Sequence, residues 1–212
     1  LLAAFTLVAC TQSGDTPEQQ ATAEPSTLFD IAYLMRVLVN GLRVILVPTD
    51  YPDIVAIQIP VQTGSRSEVE PGKTGVAHFF GHRLFRGAGQ CPAVVSSDIL
   101  KKAGADQNAY TTDDYTNYHI TFTKDDLEKV IEIEADRFQN LVYTEEMFRT
   151  EALAVKGEYL KNISNPILMM FERISDLMFE EHTYKHTTMG LLEDIEVMPD
   201  QIEYSHVFFD RW

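Results

Sequence analysis

Gly75-Val76-Ala77-His78-Phe79-Phe80-Gly81-His82-Arg83-Leu84-Phe85-Arg86-Gly87 is the stretch from which the rest of the chain can be read. Apolar Val76, Phe79 and Leu84 fit one side of a helix, so the stretch predicts a largely buried helix. His78 and His82 stand four residues apart, which puts two imidazoles on one face of that helix, half of a zinc site. A catalytic zinc takes three protein ligands and leaves a position for water, so a third ligand must come from elsewhere. In Glu151-Ala152-Leu153-Ala154-Val155-Lys156-Gly157-Glu158-Tyr159 the two glutamates lie seven residues apart. That is two helical turns, so both project from one face of a helix able to pack beside the histidines. Glu158 is the candidate ligand and Glu151 a supporting carboxylate. His182 and His186 are also four apart, but residues 183–188 read as loop and offer no shared helix face.

Working outward, residues 36–39 and 42–47 flank Asn40-Gly41, a strong short signal for a hairpin. Val55, Ile57 and Ile59 alternate with Ala56 and Gln58 in a third strand over 54–61. A helix fits 96–103. Residues 108–112 and 115–122, rich in β-branched and aromatic types, return the chain to the sheet. Asp125 or Asp126 can cap a helix whose apolar face would be Leu127, Val130, Ile131, Ile133, Ala135 and Phe138. Thr144 caps the next, with Phe148, Ala152, Val155 and Tyr159 as its stripe. Asn165-Pro166 punctuates it, further helix runs over 169–179, and a last helix follows Pro199. Sheet and helix signals segregate, which predicts an α+β fold with helices packed on an antiparallel sheet.

With 212 residues, 45% of them hydrophobic, the chain can bury one substantial core. Its net charge of −15 would repel a phosphate backbone, and no basic patch offsets it, which argues against nucleic acid as a partner. Leu1-Leu2-Ala3-Ala4-Phe5-Thr6-Leu7-Val8-Ala9-Cys10 is too short to span a bilayer and gives way at once to a polar tract. Leu7-Val8-Ala9-Cys10 resembles the bacterial lipobox, so residues 1–10 are expected to be the remnant of a lipoprotein signal and Cys10 the acylated anchor. Residues 11–33 would be a polar tether and 34–212 the folded domain. An exported lipoprotein on the periplasmic side of a membrane is the expectation. Cys91 is the one other cysteine, so no intrachain disulfide is expected.

The segments Asn40-Gly41-Leu42-Arg43-Val44-Ile45-Leu46, Thr63-Gly64-Ser65-Arg66-Ser67-Glu68, Lys73-Thr74-Gly75-Val76-Ala77-His78, Leu84-Phe85-Arg86-Gly87, Asn108-Ala109-Tyr110-Thr111, Glu134-Ala135-Asp136-Arg137 and 151–158 occur in order. Together they resemble the N-terminal domain of pitrilysin/insulinase-type (inverzincin) zinc metallopeptidases, especially the bacterial members. The resemblance implies one half of a two-half shell, with the chain ending within the first half. It implies a Zn2+ cofactor held by His78, His82 and Glu158, which lies 76 residues beyond His82 where the family carries its third ligand. Glu151 falls on the family's additional acidic position. Asn108, Ala109 and Tyr110 would form an edge strand that pairs with the backbone of a peptide or unfolded polypeptide, and Phe85 would line the pocket beside the scissile bond.

One position departs from the pattern. The inverted motif reads His-x-x-Glu-His, with the glutamate as general base, and this chain has Gly81 there. The expectation is a zinc-binding peptidase domain that is inactive or strongly impaired. The alternative is a non-catalytic peptide-binding subunit that completes a shell with another half, either from the same gene or from a partner chain.

Overall fold

The computed structural model describes residues 31–86 and 93–212, which fall into two units divided after Pro52. Cys10, Cys91 and nearly all of the expected tether lie outside the described residues. In the N-terminal unit, β1 (Leu34–Val37) pairs antiparallel with β2 (Arg43–Leu46), Val37 opposite Arg43. The turn is longer than the two-residue hairpin read from Asn40-Gly41. The Gly41 amide donates to the Leu38 carbonyl and the Leu38 amide to that of Leu42, both at 2.8 Å. Of the two turn residues Gly41 alone has a positive φ, +86°, so a left-handed glycine closes the loop and Asn40 keeps an ordinary conformation.

The larger unit is built on three antiparallel strands, β3 (Ile54–Val61), β4 (Asp106–Thr111) and β5 (Thr116–Thr123), in the order β3-β5-β4. Ile57 pairs with Ile120 and Asn108 with His119, so β5 is central and β4 has an open edge among the described residues. Helices α1 (Val76–Arg83), α2 (Ala93–Lys102), α3 (Leu127–Gln139) and α4 (Glu145–Asn162) supply most of the packing. One apolar cluster joins Val76, Ala77, Phe79 and Phe80 of α1 to Phe148, Ala152, Val155 and Tyr159 of α4. A second joins Leu100 of α2, Ile120 and Phe122 of β5, and Val130 and Ile133 of α3. α1 is thus held between α4 and the sheet, which is what places its histidines. After α4 come α5 (Pro166–Met178), α6 (Leu192–Val197) and α7 (Ile202–Arg211). None of the described helices is long and apolar enough to cross a membrane.

Helix α3 does not present the face its apolar spacing suggests. Leu127 and Ile131 are exposed, while Val130, Ile133, Glu134 and Arg137 are buried. The cause lies on other elements. Arg137 donates to Glu134 at 2.6 Å and to Gln107 of β4 at 3.0 Å, and its guanidinium lies 5.3 Å from the centre of the Phe85 ring. A buried charge is tolerated only when paired and hydrogen-bonded, and these partners rotate the helix to bring the pair inside.

Capping follows sequence unevenly. The Thr144 hydroxyl accepts from the Met147 amide at 3.2 Å, satisfying a free donor at the start of α4. Asp126 instead accepts from the Thr123 hydroxyl and leaves α3 without a side-chain cap. Thr144→Ala is therefore expected to cost about 1 kcal/mol in urea unfolding, whereas Asp126→Ala should shift the midpoint by clearly less.

Candidate metal centre

Helix α1 begins at a crowded junction. Gly75 has φ +87°, and a Cβ there would lie 2.9 Å from the Met189 carbonyl oxygen; a Cβ on Gly190 would lie 2.7 Å from the Gly75 nitrogen. Glycine at both positions lets the backbones meet. No side chain at the helix start caps α1. Glu68, far outside the helix, does so instead, accepting from the Gly75 amide at 2.9 Å and the Ala77 amide at 2.8 Å. Asp194 accepts from the amide and hydroxyl of Thr74 at 3.1 and 2.7 Å, and that hydroxyl in turn accepts from the Leu191 amide.

Burial pushes the Glu68 carboxyl up to about 8, with the amides of Ala77, Gly75 and Val76 opposing the rise and the neighbouring Asp194 charge adding to it. A carboxyl whose folded value exceeds its unfolded one contributes stability below the unfolded value and loses it as pH rises through the folded value. The Glu68 contribution should therefore decline between about pH 4.5 and 8. Urea midpoints measured across that range for the chain and for Glu68→Gln test this. Their difference is expected to shrink steadily with rising pH, and a pH-independent difference would contradict it. Taking the difference cancels His78, whose depressed value acts in the opposite sense.

One turn into α1, His78 and His82 face α4. Their Nε2 atoms are 3.1 Å apart, and Glu158 Oε2 lies 3.2 Å from His82 Nε2 and 3.7 Å from His78 Nε2. Each residue offers a ligand atom within 4.8 Å of the other two. Donors about 2.1 Å from a tetrahedral zinc lie about 3.4 Å from one another, so the triangle has the size that ion requires. Two imidazoles and a carboxylate also suit zinc chemically.

Electrostatics support the same arrangement. Burial, then the charge of His82, holds His78 down at about 4, so it is neutral near pH 7, the form in which imidazole binds a metal. His82 is raised, first by its hydrogen bond to Glu151. That bond runs from His82 Nδ1 to Glu151 Oε1 at 3.2 Å, and the Glu151 side chain is only 5% exposed. An ionised carboxylate can only accept, so Nδ1 is the donor to Glu151, which leaves Nε2 as the nitrogen that would hold a metal once its own proton is displaced. His78 Nδ1 is buried without a hydrogen-bond partner among the described residues.

These side chains line a cleft of about 590 Å³ together with Gly81, Phe85, Asn108, Ala109, Tyr110 and Thr111. The positions singled out in the sequence from His78 to Glu158 are thus brought together, and Thr188 and Met189 line the same cleft. The Ala109 amide donates to Asn108 Oδ1 at 2.8 Å. Gly81 is buried and helical, and a Cβ built on it would meet only Thr111 Oγ1, at 3.4 Å. Thr116 gives its hydroxyl proton to the Thr63 carbonyl at 2.8 Å, so Thr111, 3.1 Å from Thr116, donates to it and keeps its lone pairs free beside Gly81. Glu68, Asp194 and Thr111 drew no notice as site residues in the sequence. No local pattern marks them: Asp194 reaches Thr74 across 120 residues, Thr111 stands 30 residues from Gly81, and Glu68 caps α1 from outside the capping positions of that helix.

An antiparallel sheet flanked by helices, with His-x-x-x-His on a buried helix and a glutamate donated by another, defines a metallopeptidase class of fold. The model of the Insulinase family (Peptidase family M16) matches residues 43–191, and the chain belongs to that family. It is 31% identical to the zinc protease PqqE of Helicobacter pylori over 161 residues, 75% of this chain and 36% of that protein. It is also 31% identical to insulin-degrading enzyme-like 2 of Arabidopsis thaliana over 171 residues, 80% of this chain and 18% of that one. Among solved structures, a protease from Helicobacter pylori superposes with a TM-score of 0.79 at 28% identity, over 84% of this chain and 43% of the other. The periplasmic protease PqqL from Escherichia coli shares the fold at a TM-score of 0.71 and 23% identity, over 85% and 20%. The chain thus spans less than half the length of each.

Proposed function

We propose that this chain holds zinc at His78, His82 and Glu158, binds extended polypeptide along β4, and hydrolyses peptide bonds weakly or not at all. The observation that carries this reading is the meeting, in one cleft, of three converging donors with a glycine between the two histidines. Zinc, when bound, supplies Lewis acidity toward water and a peptide carbonyl. The chain's own residues do the rest. His78 and His82 from α1 and Glu158 from α4 hold the ion, and Glu151 orients the His82 ring. The open edge of β4 offers backbone donors and acceptors to an incoming strand, which gives affinity with little demand on side-chain sequence, and Phe85 supplies an apolar wall. Position 81 itself carries no proton acceptor. Without a carboxylate at position 81, no side chain there takes a proton from water and returns it to the leaving amine, a role that typically contributes about 10²–10⁴ in rate.

The glycine also favours a second reading, a non-catalytic subunit. Family members form two-half shells, and this chain covers 36% of one relative and 43% of a solved one. It would then bind peptide and complete a shell with another half, whether carried by the same gene or by a partner chain. In either case we propose export, with Cys10 as a lipid anchor, supported by the apolar run that ends there.

The test uses the zinc-loaded chain, alone and with a homologous second half supplied. Binding of a fluorescently labelled unfolded peptide is followed by anisotropy and cleavage by mass spectrometry. Binding weakened by N-methylation of the peptide backbone, with cleavage no faster than in zinc-free protein, is expected. Brisk cleavage, or binding indifferent to N-methylation, would overturn the proposal.

A further inference from the structure

Helix α5 is turned inside out. Its least exposed positions are Glu172, Ser175 and Asp176, spaced as one helical face. Glu172 accepts from the Tyr159 hydroxyl of α4 at 3.2 Å, and Asp176 pairs with Lys185 at 3.4 Å and with Arg173. The polar side therefore meets the body of the unit. The apolar side points away from it: Ile167, Met170, Phe171, Ile174, Leu177 and Met178 are 40–69% exposed. No residue of α5 is buried.

Leu168 and Met169 share the face of Glu172, four and three residues on, and the six seam side chains by themselves expose on the order of 700 Å², close to one side of a standard interface. A monomer's largest apolar patch is usually smaller. The spacing also identifies the kind of partner. Residues 167, 170, 171, 174, 177 and 178 form a seam with the alternating three- and four-residue steps of helix-on-helix packing. A bilayer is disfavoured, because interfacial helices carry a basic polar face. Here that face is Glu172 and Asp176, with Glu180 and Glu181 just beyond it.

We propose that this seam is a self-association surface on which α5 of one copy packs antiparallel on α5 of a second. Copies that each carry a charge of −15 repel, and the seam brings together a surface with no charge of its own. Antiparallel pairing adds a complementary contact at each end. The first turn of α5 holds no acidic residue and its side-chain cap is the neutral Asn165, which accepts from the Ile167 amide at 3.0 Å, so Glu180 and Glu181 of the other copy supply the negative charge that its positive end lacks. Two-fold symmetry repeats the contact and closes the assembly as a dimer.

Sedimentation velocity over a concentration series tests this on the chain, on Phe171→Glu, on Leu177→Glu and on Val207→Glu, which alters an exposed apolar residue of α7. The first two variants place like charges into the seam of both copies and are expected to weaken the dimer by about 100-fold, while Val207→Glu leaves it unchanged. Retained helicity by circular dichroism separates this from unfolding. A chain monomeric at 100 µM or more (~10⁻⁴ M, the millimolar-to-micromolar affinity range), or a dimer indifferent to Phe171→Glu, would overturn the proposal. So would an α5 seam that binds vesicles or a homologous second half in preference to a second copy.

Discussion

Gly81→Glu is expected to raise zinc-dependent peptide hydrolysis by about 10²–10⁴-fold, the usual contribution of a positioned general base. The site has room for it. A side chain starting at position 81 meets only Thr111 Oγ1, at ordinary contact distance, and opens otherwise into the cleft that holds His78 and His82. The helix should tolerate the change as well, since glycine inside a helix costs roughly 1 kcal/mol relative to alanine and glutamate is a good helix former. Gly81→Ala provides the control, because it restores helix propensity without a carboxylate and should stay as inactive as the parent. Initial rates on an unfolded peptide, with a second half supplied, distinguish the three proteins. Equal rates in all of them would mean that something other than the absent base limits catalysis.

The second large effect concerns the cradle. His82→Ala removes one of three donors and should abolish stoichiometric zinc retention after dialysis. Glu151→Gln leaves all three donors in place but replaces the carboxylate that fixes the His82 tautomer; changes to such supporting residues cost about 10–100-fold in metal affinity. Competition with a chromogenic chelator reads both. Since Glu151 is buried and Glu158 is 40% exposed, Glu151→Gln should also lower stability while Glu158→Gln leaves it nearly unchanged. That pattern separates a residue built into the core from one presented to the cleft.

Much of this arrangement could be read from residue spacing. The four-residue step between His78 and His82, and the seven-residue step between Glu151 and Glu158, put each pair on one face of its own helix. Apolar Val76 and Phe79, with Phe148, Ala152 and Val155, then indicate how those helices are buried. What spacing does not contain is the partner on another element. Glu134 and Arg137 look like solvent-facing charges until Gln107 and Phe85 are brought against them. Asn40-Gly41 marks a turn, but strand register decides how many residues it takes up. Glu68 caps a helix that begins eight residues later, with nothing local to reveal it. The six residues of α6 are too few to display a period. For α5 the composition identifies a helix, yet Tyr159 and Lys185 determine which of its sides faces inward.

The most direct measurement is zinc stoichiometry by elemental analysis after dialysis, on the chain and on His78→Ala, His82→Ala and Glu158→Ala. One zinc per chain, lost in each variant, is the result expected of three converging donors. No zinc in the chain, or zinc retained when the donors are removed one at a time, would contradict a metal centre at this site.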